Sequence, residues 1–216
     1  MLSQKAKVLQ ALGGRTMLNH VLTTANKISN KISVVVGFDK EGVEEEIKKI
    51  GINAKTYLQK EQIGTADAVK TTLKDIDKNE KILILYGDVP LIKEETLKKL
   101  CNQESDLSIL TTNLENPTGY GRALKDKENN VLGIIEEKDA DLEQKKIKEI
   151  FTGILVSKGG LLKNFIPEIE NNNSAKEFYL TDLIGIAHKN GFKINTLSSS
   201  NEAVSYTHLR AHETVR

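Results

Sequence analysis

The sequence predicts an α/β fold: a mixed, mostly parallel sheet flanked by helices, with a β-rich insertion in the second half. Three observations carry that reading. The stretch KILILYGDVPLI (81–92) opens on Ile82, Leu83, Ile84 and Leu85 with no polar face, as a strand covered on both sides does. Similar apolar runs alternate with segments of helical period, the β-α-β-α rhythm of parallel strands joined by right-handed crossovers. From Asn116 onward that rhythm gives way to short strand-like pieces.

The elements follow in order. In GRTMLNHVLTTANKIS, Met17, Leu18, Val21, Leu22, Ala25 and Ile28 recur at helical spacing, and ISVVVG (32–37) is a strand run. DKEGVEEEIKKI is a helix that turns Val43, Ile47 and Ile50 inward, and AKTYLQ is a short strand. TADAVKTTLKDI (65–76) is a helix whose start Thr65 is expected to cap. KILILY, KEETLKKLCNQ and DLSILTTNL read as strand, helix and strand. PTGYGRALKDKENNVLGIIEEKDA reads as two strands turning at Glu128-Asn129-Asn130, with a polar helix near 141–147. EIFTGILVSK is another apolar strand, and GLLKNFIPEIENN and YLTDLIGIAHKNG are helices.

Composition bounds the function classes. The 216 residues suit one large α/β domain or two small ones, with 38% hydrophobic and 28% charged residues. A formal net charge of +1 points to neither nucleic acid nor a membrane surface as a partner. No apolar run reaches the length of a membrane span, and the first residues show no signal-peptide core. Cys101 is the only cysteine, which suits a reducing cytoplasm.

Several stretches could carry chemistry. Asp88 follows a strand at the carboxyl edge of the sheet, where open α/β folds bind ligands, and Gly87 lets a ligand approach the backbone. An acid there is either a turn residue or a ligand for Mg²⁺ beside phosphates. In YLQKEQIGTADAV, Gly64-Thr65 stands at a helix start, and Gln59 and Gln62 carry amides suited to a base edge; an ordinary helix start reads equally well. NPTGYGRAL is Gly-rich but lacks the GxGxxG spacing, and no Walker lysine motif occurs. His208 and His212 stand four apart without the glutamate a zinc protease needs between them.

Taken together and in order, KVLQALGGRTMLNHVL, LQKEQIGTADAV, LYGDVPLI, PTGYGRAL, IIEEKDA, FTGIL and EFYLTDLI form a more specific pattern. It resembles the uridyltransferase domain of the bacterial bifunctional N-acetylglucosamine-1-phosphate uridyltransferase/glucosamine-1-phosphate acetyltransferase family. YGDVPL and PTGYGR carry most of the resemblance, which extends from about Ser3 to Val204. It implies a Rossmann-like sugar-nucleotidyltransferase fold over 1–204. It also implies transfer of a uridylyl group from UTP to N-acetylglucosamine 1-phosphate, with Mg²⁺, in the cytoplasm, for cell-wall precursor synthesis. By resemblance, Lys7 contacts phosphate, and Gln59, Gly64 and Thr65 hold the uracil. Asp88 binds Mg²⁺, with the Tyr86 and Gly87 backbone against the nucleoside. Gly121 and Glu136 hold the amino sugar, and Tyr179 and Thr181 line its phosphate end.

Departures from the family pattern set further expectations. The opening strand and its Leu-Ala-Ala-Gly-x-Gly-Thr-Arg-Met loop are not represented, and SYTHLRAHETVR replaces a segment that carries a second Mg²⁺ ligand. Residues 205–216 are therefore expected to be a disordered tail. Phe151 stands where the family has an asparagine, and Asp67 where it has a histidine. The family's trimerising β-helix domain is not represented either, so a monomer is expected, with impaired turnover. A non-catalytic nucleotide-sugar-binding protein, or a transferase for another sugar phosphate, are the alternatives.

Overall fold

The structure, a computed structural model, describes residues 5–199. The polypeptide forms two compact units. Among the described residues, the first takes the chain up to Glu61 together with Leu85–Lys98, and the second takes Gln62–Ile84 together with residues 99–199. His208, His212 and the tail from residue 205 lie outside the described residues.

In the first unit a 3₁₀ turn at Lys7–Leu9 leads into a small antiparallel hairpin of β1 (Ala11–Leu12) and β2 (Arg15–Thr16). Helix α1 (Met17–Asn26) starts at Thr16, whose Oγ1 accepts the Asn19 N–H at 3.0 Å, the side-chain cap that threonine favours. Strands β3 (Ile32–Val36) and β4 (Ala54–Leu58) pair in parallel through helix α2 (Lys40–Ile50), which ends at Gly51 with φ of 76°. Leu18, Leu22, Val36, Val43 and Ile47 form the core of this unit, with Ala6, Val8 and Leu9 packed against it. Of the inward positions read from the sequence, Met17, Leu18, Val21, Leu22, Val43 and Ile47 are buried, while Ala25 is only half-buried and Ile28 lies past the end of α1.

In the second unit α3 (Thr65–Lys70) is followed by a 3₁₀ turn and β5 (Lys81–Ile84). Helix α4 (Glu94–Cys101), whose residues up to Lys98 belong to the first unit, precedes β6 (Leu107–Asn113), and β7 (Arg122–Lys125) and β8 (Val131–Ile135) form a hairpin that turns at Asn129, with φ of 68°. Strand β9 (Glu149–Lys158) leads to α5 (Gly159–Phe165), then α6 (Asp182–Lys189) and β10 (Ile194–Ser198). The sheet runs β10-β6-β9-β7-β8, with β5 also on β9. Since β6 pairs along both ends of β9, the opposite edge of β9 is shared by β7 at Ile150 and β5 at Leu155–Lys158.

The α/β class and the mixed sheet are as expected, but the sheet is not mostly parallel. Only β10–β6 is a parallel pair in it, because β9 enters reversed between β6 and β5. The strand opening KILILY is not covered on both sides either. Ile82, Leu83 and Ile84 are half-buried, and β9 is the one strand that pairs with β5 among the described residues. The polar helix expected near 141–147 is a single 3₁₀ turn at Gln144–Lys146, and the 65–76 helix breaks after Lys70. β10 was not expected from the sequence.

Leu155 is fully buried and sits in register between Ile84 of β5 and Ile109 of β6. Leu155→Ala leaves a cavity at that junction and is expected to cost about 2–5 kcal/mol. Urea unfolding should show a lower midpoint at unchanged slope.

Candidate active site

The predicted residues fall into two groups, one in each unit. In the first unit, Lys7 opens the 3₁₀ turn and Asp88 lies in the turn after β5, where the Val89 N–H reaches Tyr86 O. Lys7 Nζ lies 2.8 Å from Asp88 Oδ2, joining residues 81 apart in the chain. The lysine side chain is 56% exposed and the aspartate 32%, so the pair adds only about 0.2–1 kcal/mol to stability. A hard carboxylate beside a largely exposed ammonium suits phosphate chemistry better than it suits a structural clamp.

The backbone around Lys7 is fixed by groups the sequence did not single out. Asp39 adopts left-handed φ of 56°, and its Oδ2 accepts the Ala6 N–H at 2.9 Å. An aspartate just before a helix reads as a cap, yet this one does not cap α2. Its carboxylate goes to the Lys7 turn instead. Next to it, Val8 presses a methyl onto Gly87: a Cβ there would lie 2.9 Å from Val8 Cγ1. Gln59 follows β4, with its N–H on Val36 O at 2.8 Å.

In the second unit, Gly64 has φ of 136°, and a Cβ there would lie 2.3 Å from Phe178 O. Only glycine fits this close approach of two backbones. Gly64, not Thr65, is the cap residue of α3. The Thr65 hydroxyl turns away from its own helix because its Oγ1 accepts the Leu180 N–H at 2.9 Å.

Glu136 follows β8, and its carboxylate accepts the Thr181 hydroxyl at 2.9 Å. Gly121 makes room for it: a Cβ at Gly121 would stand 2.7 Å from Ile134 Cγ2 and 3.3 Å from Glu136 Oε2. Thr181, expected to line a phosphate, is 3% exposed and bound to Glu136. Phe151 is buried on β9, and its N–H donates to Gly121 O at 2.9 Å.

The loop that carries Gly121 is held by a clasp that sequence reasoning missed. Arg122 is 1% exposed; its guanidinium donates to Glu137 Oε2 at 2.5 Å and to Tyr120 O, with Nε buried and unpaired among the described residues. Glu137 Oε2 also takes the Gly119 N–H at 3.3 Å. Burial raises the Glu137 carboxyl, but the Arg122 and Gly119 hydrogen bonds outweigh it and leave its pKa lowered. Nothing in the local pattern signalled the clasp, since Arg122 and its neighbour Ala123 are both buried in β7.

A cavity of about 370 Å³ opens beside Glu136, lined also by Ile134, Asp139, Glu168, Tyr179 and Asp182. Burial, then Asp182 and Asp139, push the Glu136 pKa up against the Thr181 hydrogen bond. Burial and Asp139 do the same to Asp182. Tyr179 is driven to about 12 by burial and by Asp139 and Glu136, so its phenol stays a hydrogen-bond donor. Among the described residues no three His, Cys, Asp or Glu side chains gather as a metal cage. No described helix is long and apolar enough to cross a membrane.

Residues 2–141 match the MobA-like NTP transferase domain. The chain belongs to that family. It is a nucleotidyltransferase by family, and the KVL, YGDVPL and GTADAV stretches lie inside the matched region. The chain is 44% identical over 203 residues to the bifunctional protein GlmU of Francisella tularensis subsp. novicida (strain U112). The match takes 93% of this chain and 44% of that protein, so the chain spans under half of the relative. Its fold is similar to a putative glucose-1-phosphate thymidylyltransferase from Bacillus anthracis solved with sucrose. That likeness has a TM-score of 0.71 at 18% identity and covers 97% of this chain and 86% of the other.

A carboxylate whose folded pKa is raised stabilises the folded state least when ionised. Its penalty sets in as pH rises above the unfolded value and is complete above the folded one. Glu136→Gln keeps an acceptor for Thr181 and removes the charge. It is expected to raise the thermal midpoint at pH 7, with the gain vanishing below the ordinary Glu value of about 4.3. Thermal melts of both proteins across that range check it.

Proposed function

We propose that this chain transfers a uridylyl group from UTP to N-acetylglucosamine 1-phosphate, giving UDP-N-acetylglucosamine and pyrophosphate for cell-wall precursor synthesis. The observation that carries the reading is the Lys7–Asp88 pair at 2.8 Å, a cation for phosphate next to an acid for metal. The 44% identity to a protein named GlmU supports the choice of substrates.

The residues present fit Mg²⁺. That ion is held by one or two carboxylates together with substrate phosphates rather than by an all-protein cage, and Asp88 is a single, partly exposed carboxylate. Bound there, Mg²⁺ would neutralise the charge of the reacting phosphates. The attacking group is already a phosphate oxyanion, so no general base is required. The work of the chain is positioning and charge neutralisation. Lys7 takes phosphate charge once it leaves Asp88. Gln59 offers its amide and Gly64 its backbone to the uracil, while the Thr65 hydroxyl, accepting from Leu180, keeps its own proton to donate. Tyr86 and Gly87 lie along the nucleoside. Glu136, seated against Gly121, accepts from sugar hydroxyls, and Tyr179 donates at the phosphate end of the sugar. On this reading the reaction takes place in the cytoplasm, with the chain as a monomer.

The test is pyrophosphate release by the purified chain with UTP, N-acetylglucosamine 1-phosphate and Mg²⁺. Release should require all three and fall at least on the order of a hundredfold in Asp88→Asn. Equal release with glucose 1-phosphate would point to another sugar. Uridine-nucleotide binding with no Mg²⁺ dependence and no release would make the chain a binding protein.

A further inference from the structure

We infer that Phe178–Thr181 is a strut coupling the Gly64–Thr65 loop to Glu136, so that occupancy of one is felt at the other. The Thr65 and Thr181 hydroxyls tie its two ends. The inference rests on assigning that loop to the base and Glu136 to the sugar.

At one end the segment is zipped to the loop by three hydrogen bonds. Phe178 N–H donates to Ile63 O at 2.8 Å, Ala66 N–H donates to Phe178 O at 2.9 Å, and Leu180 N–H donates to Thr65 Oγ1 at 2.9 Å. Gly64 has no side chain because the Phe178 backbone occupies that space. At the other end Thr181 Oγ1 donates to Glu136 Oε1 at 2.9 Å. Between the two ends stands Leu180, 0% exposed to solvent. One peptide therefore separates the amide that reads the loop from the hydroxyl that holds the acid. Planar peptides and a buried anchor leave that connection little freedom.

A ligand that fixes the loop fixes Leu180, and through it the rotamer and depth of Thr181. The ordering of Glu136 is then already in place when the sugar arrives, which is positive coupling without a large structural change. Thr181 is on this account a positioning residue. Its buried hydroxyl acts through Glu136, which also faces Asp139, Asp182, Tyr179 and Arg122.

Calorimetry on the whole chain should find that UTP tightens N-acetylglucosamine 1-phosphate binding and that the sugar phosphate tightens UTP by the same factor. Thr65→Val and Thr181→Val should each weaken sugar-phosphate binding about three- to tenfold, the value of one hydrogen bond. Thr65→Ser and Thr181→Ser should restore it. A ligand-free readout runs alongside. By carboxyl NMR, Glu136 should titrate at higher pH in Thr181→Val, because a donor to the ionised form is lost, and it should move in Thr65→Val as well. If Thr65→Val alters only UTP binding and leaves the Glu136 titration where it was, the two ends are independent and the strut is wrong. If neither ligand binds, the proposed substrates fail, and the Glu136 titration alone decides the strut.

Discussion

Burial of β9 is the constraint on which the second unit depends. From Ile150 to Ser157 every residue is buried, and this strand alone touches β5, β6 and β7. Its direction decides the mixed character of the sheet. Its register with β6 shifts between Ile109 and Thr111, across Thr152 to Ile154 of β9, where the Thr152 hydroxyl donates to Leu110 O at 2.9 Å. Just before that shift, the Phe151 N–H fixes Gly121. The glycine that shapes the Glu136 seat is thus hung directly on the central strand.

The charged side chains singled out in each unit fall into two regimes. Lys7 and Asp88 are partly exposed and weakly held, so each can exchange its partner for a ligand at small cost. Arg122 and Glu137 are the opposite case. A guanidinium 1% exposed would be strongly destabilising without its carboxylate, so this pair is a fixed part of the Gly119–Arg122 loop. Glu136, Asp139 and Asp182 crowd one cavity with their pKa balance shifted toward the neutral form at Glu136 and Asp182. Repulsion among these carboxylates works against stability, the kind of local cost that functional sites carry.

The sequence by itself determined most of the elements and the chemistry-bearing types, though not β10 or the short helical turn at Gln144–Lys146. Helical spacing at Met17, Leu18, Val21 and Leu22 became the buried face of α1, and Val43 and Ile47 that of α2. The ordered motifs pointed to nucleotidyl transfer, the class the family match supports. Local patterns suffice for this because period and turn chemistry are properties of neighbouring residues. Tertiary structure decided what pairs with what. Nothing in KILILY says that its strand meets a reversed neighbour, or that Ile82 to Ile84 stay half-buried. Asp39, read only as part of a helix, holds Ala6; Thr65 looked like a cap and receives Leu180 from 115 residues away; Thr181 looked like a ligand and holds Glu136. A side-chain oxygen bonds whichever donor the fold brings within about 3 Å, and sequence spacing does not contain that distance.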